Sequence, residues 1–180
     1  MLGRLALTIQ GWILDARVRR HGWTGVYVGD YASAPTWAYT IGFDDTLNQP
    51  EVVAFDLTRD AASRLFWEVR DRLKAGTFAF ADGLEWPEDS DVRGVWRKVD
   101  PTRIDEWLTL AAHRRWKRTG QAHGLEAFQY VLPDNDGHLP WQADYDERLR
   151  PRQIALWEPQ PSEKQPTVAP PAAQAPAQPL

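Results

Sequence analysis

The side chains in this chain that can do chemistry fall in three places. His21, in His21-Gly22-Trp23, carries an imidazole that titrates near neutral pH and suits a general base. A carboxylate such as Asp44 would orient it for acid–base work on a small substrate. The plainer reading is a histidine at a helix end beside a buried tryptophan. Asp134, Asp136 and His138 recur at two-residue intervals, which resembles part of a calcium loop, or of a transition-metal site through the imidazole. The remaining ligands of such a loop are missing, and Gly137 comes too early for its glycine. Turn-forming Asp and Asn explain the same stretch without an ion. Finally, Asp44, Asp45, Glu51, Glu85 and Glu88 are carboxylates that serve as a catalytic pair only if the fold brings two of them together.

Several chemistries find no support. The chain has no cysteine, which removes disulfides, thiolate metal sites and a cysteine nucleophile. Ser33, Ser63, Ser90 and Ser162 lie in no Gly-x-Ser-x-Gly context. No glycine-rich phosphate loop occurs, and no cofactor is expected. A net charge of −4 argues against general nucleic-acid binding, which needs a basic surplus. The basic clusters Arg17, Arg19, Arg20 and Arg114, Arg115, Lys117, Arg118 sit where helix C-termini are expected, and cations complement the dipole there. No apolar run approaches the roughly 20 residues of a membrane span, and the first residues do not read as a secretion signal. A cytoplasmic protein is expected. Ten tryptophans in 180 residues are the unusual feature. They supply a large, rigid apolar area for a core or an aromatic-lined pocket.

The elements that must position these groups are read from periodicity and punctuation. Leu5, Ile9, Trp12, Ile13 and Ala16 form one helical face ending at Gly22. Three strands follow, at Thr24–Val28, Thr36–Gly42 and Glu51–Phe55, rich in β-branched and aromatic residues. The third is mostly apolar and reads as a central strand covered on both faces. The segment from Gly42 to Pro50 reads as a polar surface loop able to carry function. Residues 58–75 form the clearest helix, with Thr58 as N-cap, an apolar stripe through Ala62, Leu65, Phe66, Val69 and Leu73, and Gly76 as stop. Short strands are expected at Thr77–Phe80 and Gly94–Val99, with an acidic loop at 87–91 between them. A helix is expected from Asp100-Pro101 to about Arg118. Leu125–Leu132 and His138–Trp141 read as a hairpin about Asp136-Gly137, and Arg150–Trp157 as a short strand or strap. From Pro159 onward, proline, alanine and glutamine dominate, and a disordered tail is expected. This is one α+β domain over residues 1–158, with a mostly antiparallel sheet and about three helices on one side.

Four separated motifs carry a resemblance. They are His21-Gly22-Trp23, Tyr39-Thr40-Ile41-Gly42, Pro50-Glu51-Val52-Val53, and Phe128-Gln129-Tyr130-Val131-Leu132-Pro133-Asp134 with Gly137 and Pro140-Trp141. In order and spacing the chain resembles the bacterial domain-of-unknown-function family 4262 over roughly residues 20–155. The resemblance implies a small soluble bacterial protein and assigns no activity. The long N-terminal helix and the proline-rich tail lie outside it.

The leading functional expectation is a binding module. Its aromatic-lined groove would involve Trp23, Tyr39, Thr40, Trp141 and the loop from Gly42 to Pro50. It would take a small molecule or a protein segment in a stress, defence or regulatory setting. The alternatives are an enzyme using His21 with Asp44 and a metal protein using Asp134, Asp136 and His138.

Overall fold

The computed structural model describes residues 13–29, 35–86, 93–121 and 123–160. The front of the N-terminal helix, the turn at 32–34, the acidic loop at 87–91 and the tail from residue 161 were all expected from sequence and lie outside the described residues. Within them, residues 13–21 are helical (α1). The chain then runs through β1 (Thr24–Val28), β2 (Trp37–Ile41), α2 (Phe43–Thr46), β3 (Glu51–Phe55), α3 (Arg59–Ala75), β4 (Val95–Lys98), α4 (Ile104–Trp107), α5 (Thr109–Thr119) and β5 (Ala127–Val131). Single 3₁₀ turns lie at Pro101–Arg103 and Arg150–Arg152.

The sheet has the order β1-β2-β3-β5-β4. The first three strands form an antiparallel meander, with Val26 opposite Tyr39 and Tyr39 opposite Val53. β4 and β5 are also antiparallel. β3 and β5 run parallel, Glu51 opposite Ala127, so the α+β sheet is mixed. Parallel neighbours need a long crossover, and the chain between Phe55 and Ala127 contains α3, β4, α4 and α5.

Alternation within the strands sends side chains to two cores. Val52 and Ala54 join Ala62, Leu65, Phe66 and Val69 of α3 on one face. Val53 and Phe55 join Val18 of α1, Ile104 of α4 and Ala111 of α5 on the other. The helices therefore cover both faces, not one as expected. The sequence signal was present in β3, whose residues are all buried, as a strand covered twice requires. α3 forms as read: the Thr58 Oγ1 accepts the Ala61 N–H at 3.1 Å, and Gly76 ends the helix at φ 67°.

Four other expectations are corrected. The segment after Gly42 is not simply a surface loop, because it folds into α2 and buries Phe43 completely. Thr77–Phe80 is extended without ladder partners; Phe78 and Phe80 instead pack on Trp96. The helix expected from Asp100 to Arg118 breaks at Leu108 (φ −117°, ψ 37°). Two side chains of β2 satisfy the groups freed by the break. The Trp37 Nε1–H donates to the Trp107 carbonyl at 3.2 Å, and the Tyr39 hydroxyl receives the Leu110 amide. Burial pushes that hydroxyl up to about 12. Finally, β5 has no hairpin partner at His138–Trp141, which forms turns. The chain at 153–156 is a strap held by the buried Gln129, which donates to the Ile154 carbonyl at 2.8 Å and accepts the Leu156 amide at 2.9 Å. No helix among the described residues is long and apolar enough to cross a membrane.

Candidate functional site

The motifs His21-Gly22-Trp23, Tyr39-Thr40-Ile41-Gly42 and Pro50-Glu51 meet at one point. Gly22 ends α1 at φ 82°, its amide returning to the Val18 carbonyl. Gly42 stands against it at φ 111°, where an added Cβ would lie 2.8 Å from the Gly22 oxygen and 2.9 Å from Val18. Only glycine fits that approach. The Thr46 hydroxyl of α2 ties the two together by donating to the Gly22 carbonyl at 2.7 Å.

Glu51, only 2 % exposed, lies beneath this contact. Its carboxylate accepts the Thr40 hydroxyl at 2.6 Å, the Gly42 amide at 2.7 Å and the Asp44 amide at 3.3 Å. The Thr40 oxygen in turn accepts the Val52 amide at 2.8 Å. Burial holds the Glu51 carboxyl above the usual carboxylate range, and Thr40 and the amides of Gly42, Asp44 and Phe43 offset only part of that rise. The Gly42 and Asp44 amides can only donate, so they favour the ionised carboxylate against its burial. Above it, Asp45 pairs with Arg114, and Asp44 with Arg115 and Arg118, pinning α2 to α5. Asp15 of α1 reaches the same Arg114 at 2.5 Å. Glu51 and Asp44 are thus brought close together, but each is occupied by its own donors.

A second feature lies beside this node. Between β1 and α3 is an open cavity of about 450 Å³, a size typical of ligand sites. Gly25 of β1 and Phe66 of α3 meet across its floor, with a Gly25 Cβ 3.4 Å from the Phe66 ring. Trp23 stands edge-on to Phe66 and to Trp67, with centroids 6.4 Å and 5.0 Å apart. Trp67 is exposed. Among the described residues the polar lining is Arg17 and His21 from α1, Thr24 and Tyr27 of β1, and Arg59 and Ser63 from α3, with no carboxylate. Arg59 lies over the Tyr27 ring at 5.3 Å. Arg17, His21 and Arg59 form no ion pair with a described residue, in a chain of net charge −4.

The residues anticipated from sequence are dispersed. His21 and Trp23 line this cavity. Tyr39 points into the opposite core, and Thr40 serves Glu51. Trp141 packs edge-on to Trp157, with Arg97 between them at 4.8 Å and 5.1 Å. His21 and Asp44 are not paired. Asp134, Asp136 and His138 do come together, with one potential ligand atom from each within 4.8 Å of the others. The Asp134 carboxylate, however, accepts amides from Asp136, His138 and Asp146 at 2.8–3.0 Å, which makes it a staple of the turn. Sequence reasoning missed Arg17, Gly25, Tyr27, Arg59, Phe66 and Trp67. One signal was available: a glycine inside a strand marks a place of close approach.

Two outcomes follow from these contacts. Glu51→Ala leaves the Thr40, Gly42 and Asp44 donors buried without an acceptor and is expected to cost about 4 kcal/mol in urea unfolding, against about 1–2 kcal/mol for Glu51→Gln. Burial pushes the Asp134 carboxyl up, but the His138, Asp146 and Asp136 amides outweigh it and hold it below the usual carboxylate range. A lowered acid pKa contributes stability above the unfolded value, near 3.9, that is lost as pH falls through the folded one. Unfolding midpoints measured below about pH 4 should therefore fall less steeply for Asp134→Asn than for the parent.

No curated protein and no solved structure matches the chain. A family model described as "Domain of unknown function (DUF4262)" matches residues 17–146, well over half of the sequence. That span contains α1 from Arg17 onward, the Gly22–Gly42 contact, Glu51 and every residue lining the cavity. The chain belongs to the DUF4262 family.

Proposed function

We propose that this protein is a recognition module whose ligand sits in the cavity between β1 and α3. The ligand carries an apolar, preferably flat body and at least one negative charge. The observation behind this reading is the lining itself: Trp23, Tyr27, Phe66 and Trp67 line the cavity beside Gly25, and among the described residues its charged or basic side chains are two arginines and a histidine with no carboxylate. Aromatic faces favour a flat apolar body. Cations without ion-pair partners favour an anion, which guanidinium groups hold by two-point hydrogen bonding. The small pocket over Glu51 supports no ligand reading, since its charges already neutralise one another.

The test is titration of naphthalene-2-carboxylate into the full chain, read by calorimetry and by tryptophan fluorescence, because Trp23 and Trp67 line the cavity. Binding in about the 10 µM to 1 mM range is expected. Gly25→Leu should weaken it at least about tenfold by filling the floor, and Arg17→Glu with Arg59→Glu should do the same by reversing the charge. Trp141→Ala should leave it unchanged. Equal binding by the parent and Gly25→Leu, or no binding by the parent, would overturn the proposal.

A further inference from the structure

The cavity adjoins an open edge of the sheet. β1 and β4 are the outer strands, and they are treated differently. The outer side of β4 is covered by residues 83–86: Glu85 bridges Val95, the Trp86 amide donates to the Gly94 carbonyl, and the Trp96 amide donates to the Leu84 carbonyl, both at 2.8 Å. β4 also carries Arg97 and Lys98, and charge on an edge discourages further pairing. β1 reads Thr-Gly-Val-Tyr-Val, with no charge and no proline. No described residue pairs with its outer backbone groups. The cavity lining takes the consecutive residues Trp23, Thr24, Gly25, Val26 and Tyr27. Successive side chains of a strand face opposite ways, so a surface that includes all five runs along the edge of the strand and not only over one face.

We propose that the natural occupant of the cavity is an extended acidic peptide that pairs with β1 as a sixth strand, which assumes the binding-module reading above. Strand addition satisfies the outer N–H and C=O groups of β1 and lets alternate side chains enter an adjoining pocket. Here the pocket is the cavity beside Gly25, where the Phe66 ring packs so close that an added Cβ would meet it at 3.4 Å. β1 spans five residues, enough for a partner segment of about four or five residues at roughly 3.4 Å each. Arg17 and His21 stand at the Trp23 end of the groove, and Arg59 stands at the Tyr27 end. Negative charge at both ends of the peptide meets them. Residues 161–180 do not supply this charge, since their one carboxylate side chain, Glu163, is followed by Lys164.

The test uses the full chain and three fluorescein-labelled hexapeptides in fluorescence anisotropy. One alternates Glu and Val, the second is its twin N-methylated at alternate residues, and the third alternates Lys and Val. The Glu–Val peptide is expected to bind, its N-methylated twin at least about tenfold more weakly, and the Lys–Val peptide not measurably. Arg17→Glu with Arg59→Glu should reverse the charge preference, and hydrogen exchange at β1 amides should slow only with the Glu–Val peptide. Equal binding of the N-methylated twin would overturn strand addition. So would naphthalene-2-carboxylate binding, sensitive to Gly25→Leu, in a protein that ignores all three peptides; the cavity would then stand without the strand. Peptide binding without naphthalene-2-carboxylate binding would keep the strand and overturn the flat-ligand proposal, and failure of both probes would overturn the two together. Dimerisation through β1, seen as concentration-dependent mass in light scattering and blocked by no peptide, would replace the peptide with a second copy.

Discussion

A carboxylate with no access to water organises this protein. Burying a charge is costly unless donors surround it, and Glu51 gathers them from two segments of the chain. They are the hydroxyl of Thr40 in β2 and the amides at the start of α2. Those amides belong to the first turn of a helix of only four residues, too short to hold itself. Glu51 therefore does for α2 what a capping side chain does for longer helices. It also fixes how the β2–β3 connection turns. The left-handed Gly42 allows that turn, and its missing Cβ lets Gly22 approach. Three separate motifs thus serve a single contact. All three lie inside the span that the family model matches, and the contact assigns them to architecture more than to chemistry.

The contact has consequences at a distance. Once α2 is set, Asp44 and Asp45 project toward α5 and engage Arg114, Arg115 and Arg118. Asp15 joins from α1, so three helices are held by one network of alternating charge. Burial alone would push the Arg114 guanidinium down, and Asp45 and Asp15 more than reverse that. On the other face of the sheet no equivalent network among the described residues closes the space between β1 and α3. The cations there face a cavity that no described carboxylate lines. The same chain neutralises one arginine cluster fully and leaves another facing a cavity, and that contrast is the physical basis for placing recognition at the second.

What the amino-acid sequence made legible was mostly local. Thr58, the apolar stripe and Gly76 sufficed for α3, and the runs of β-branched and aromatic residues sufficed for β1, β2 and β3. The strand expected at Gly94–Val99 forms at Val95–Lys98, with Trp96 and Val99 in opposite cores. Long-range partners were not legible. Nothing in Trp107-Leu108-Thr109 announces a break. The break exists because Trp37 and Tyr39, some 70 residues earlier, supply the donor and acceptor that it requires. The expected hairpin failed because Asp134 turns the chain with its own carboxylate and leaves no strand to pair. In the groove, Trp23 is legible because it follows directly on His21-Gly22 at the end of α1. Arg17 and Arg59 lie about 40 positions apart and become neighbours only when α1 and α3 flank β1.

Everything rests on Glu51 being a buried anion ringed by donors. Direct observation comes from the ¹³C chemical shift of its side-chain carboxyl at pH 7, followed together with hydrogen exchange at the Gly42 amide. A carboxylate shift, with Gly42 exchanging only as slowly as global unfolding allows, is the expected result. A carboxylic-acid shift at pH 7, or a Gly42 amide that exchanges as freely as one in water, would contradict it.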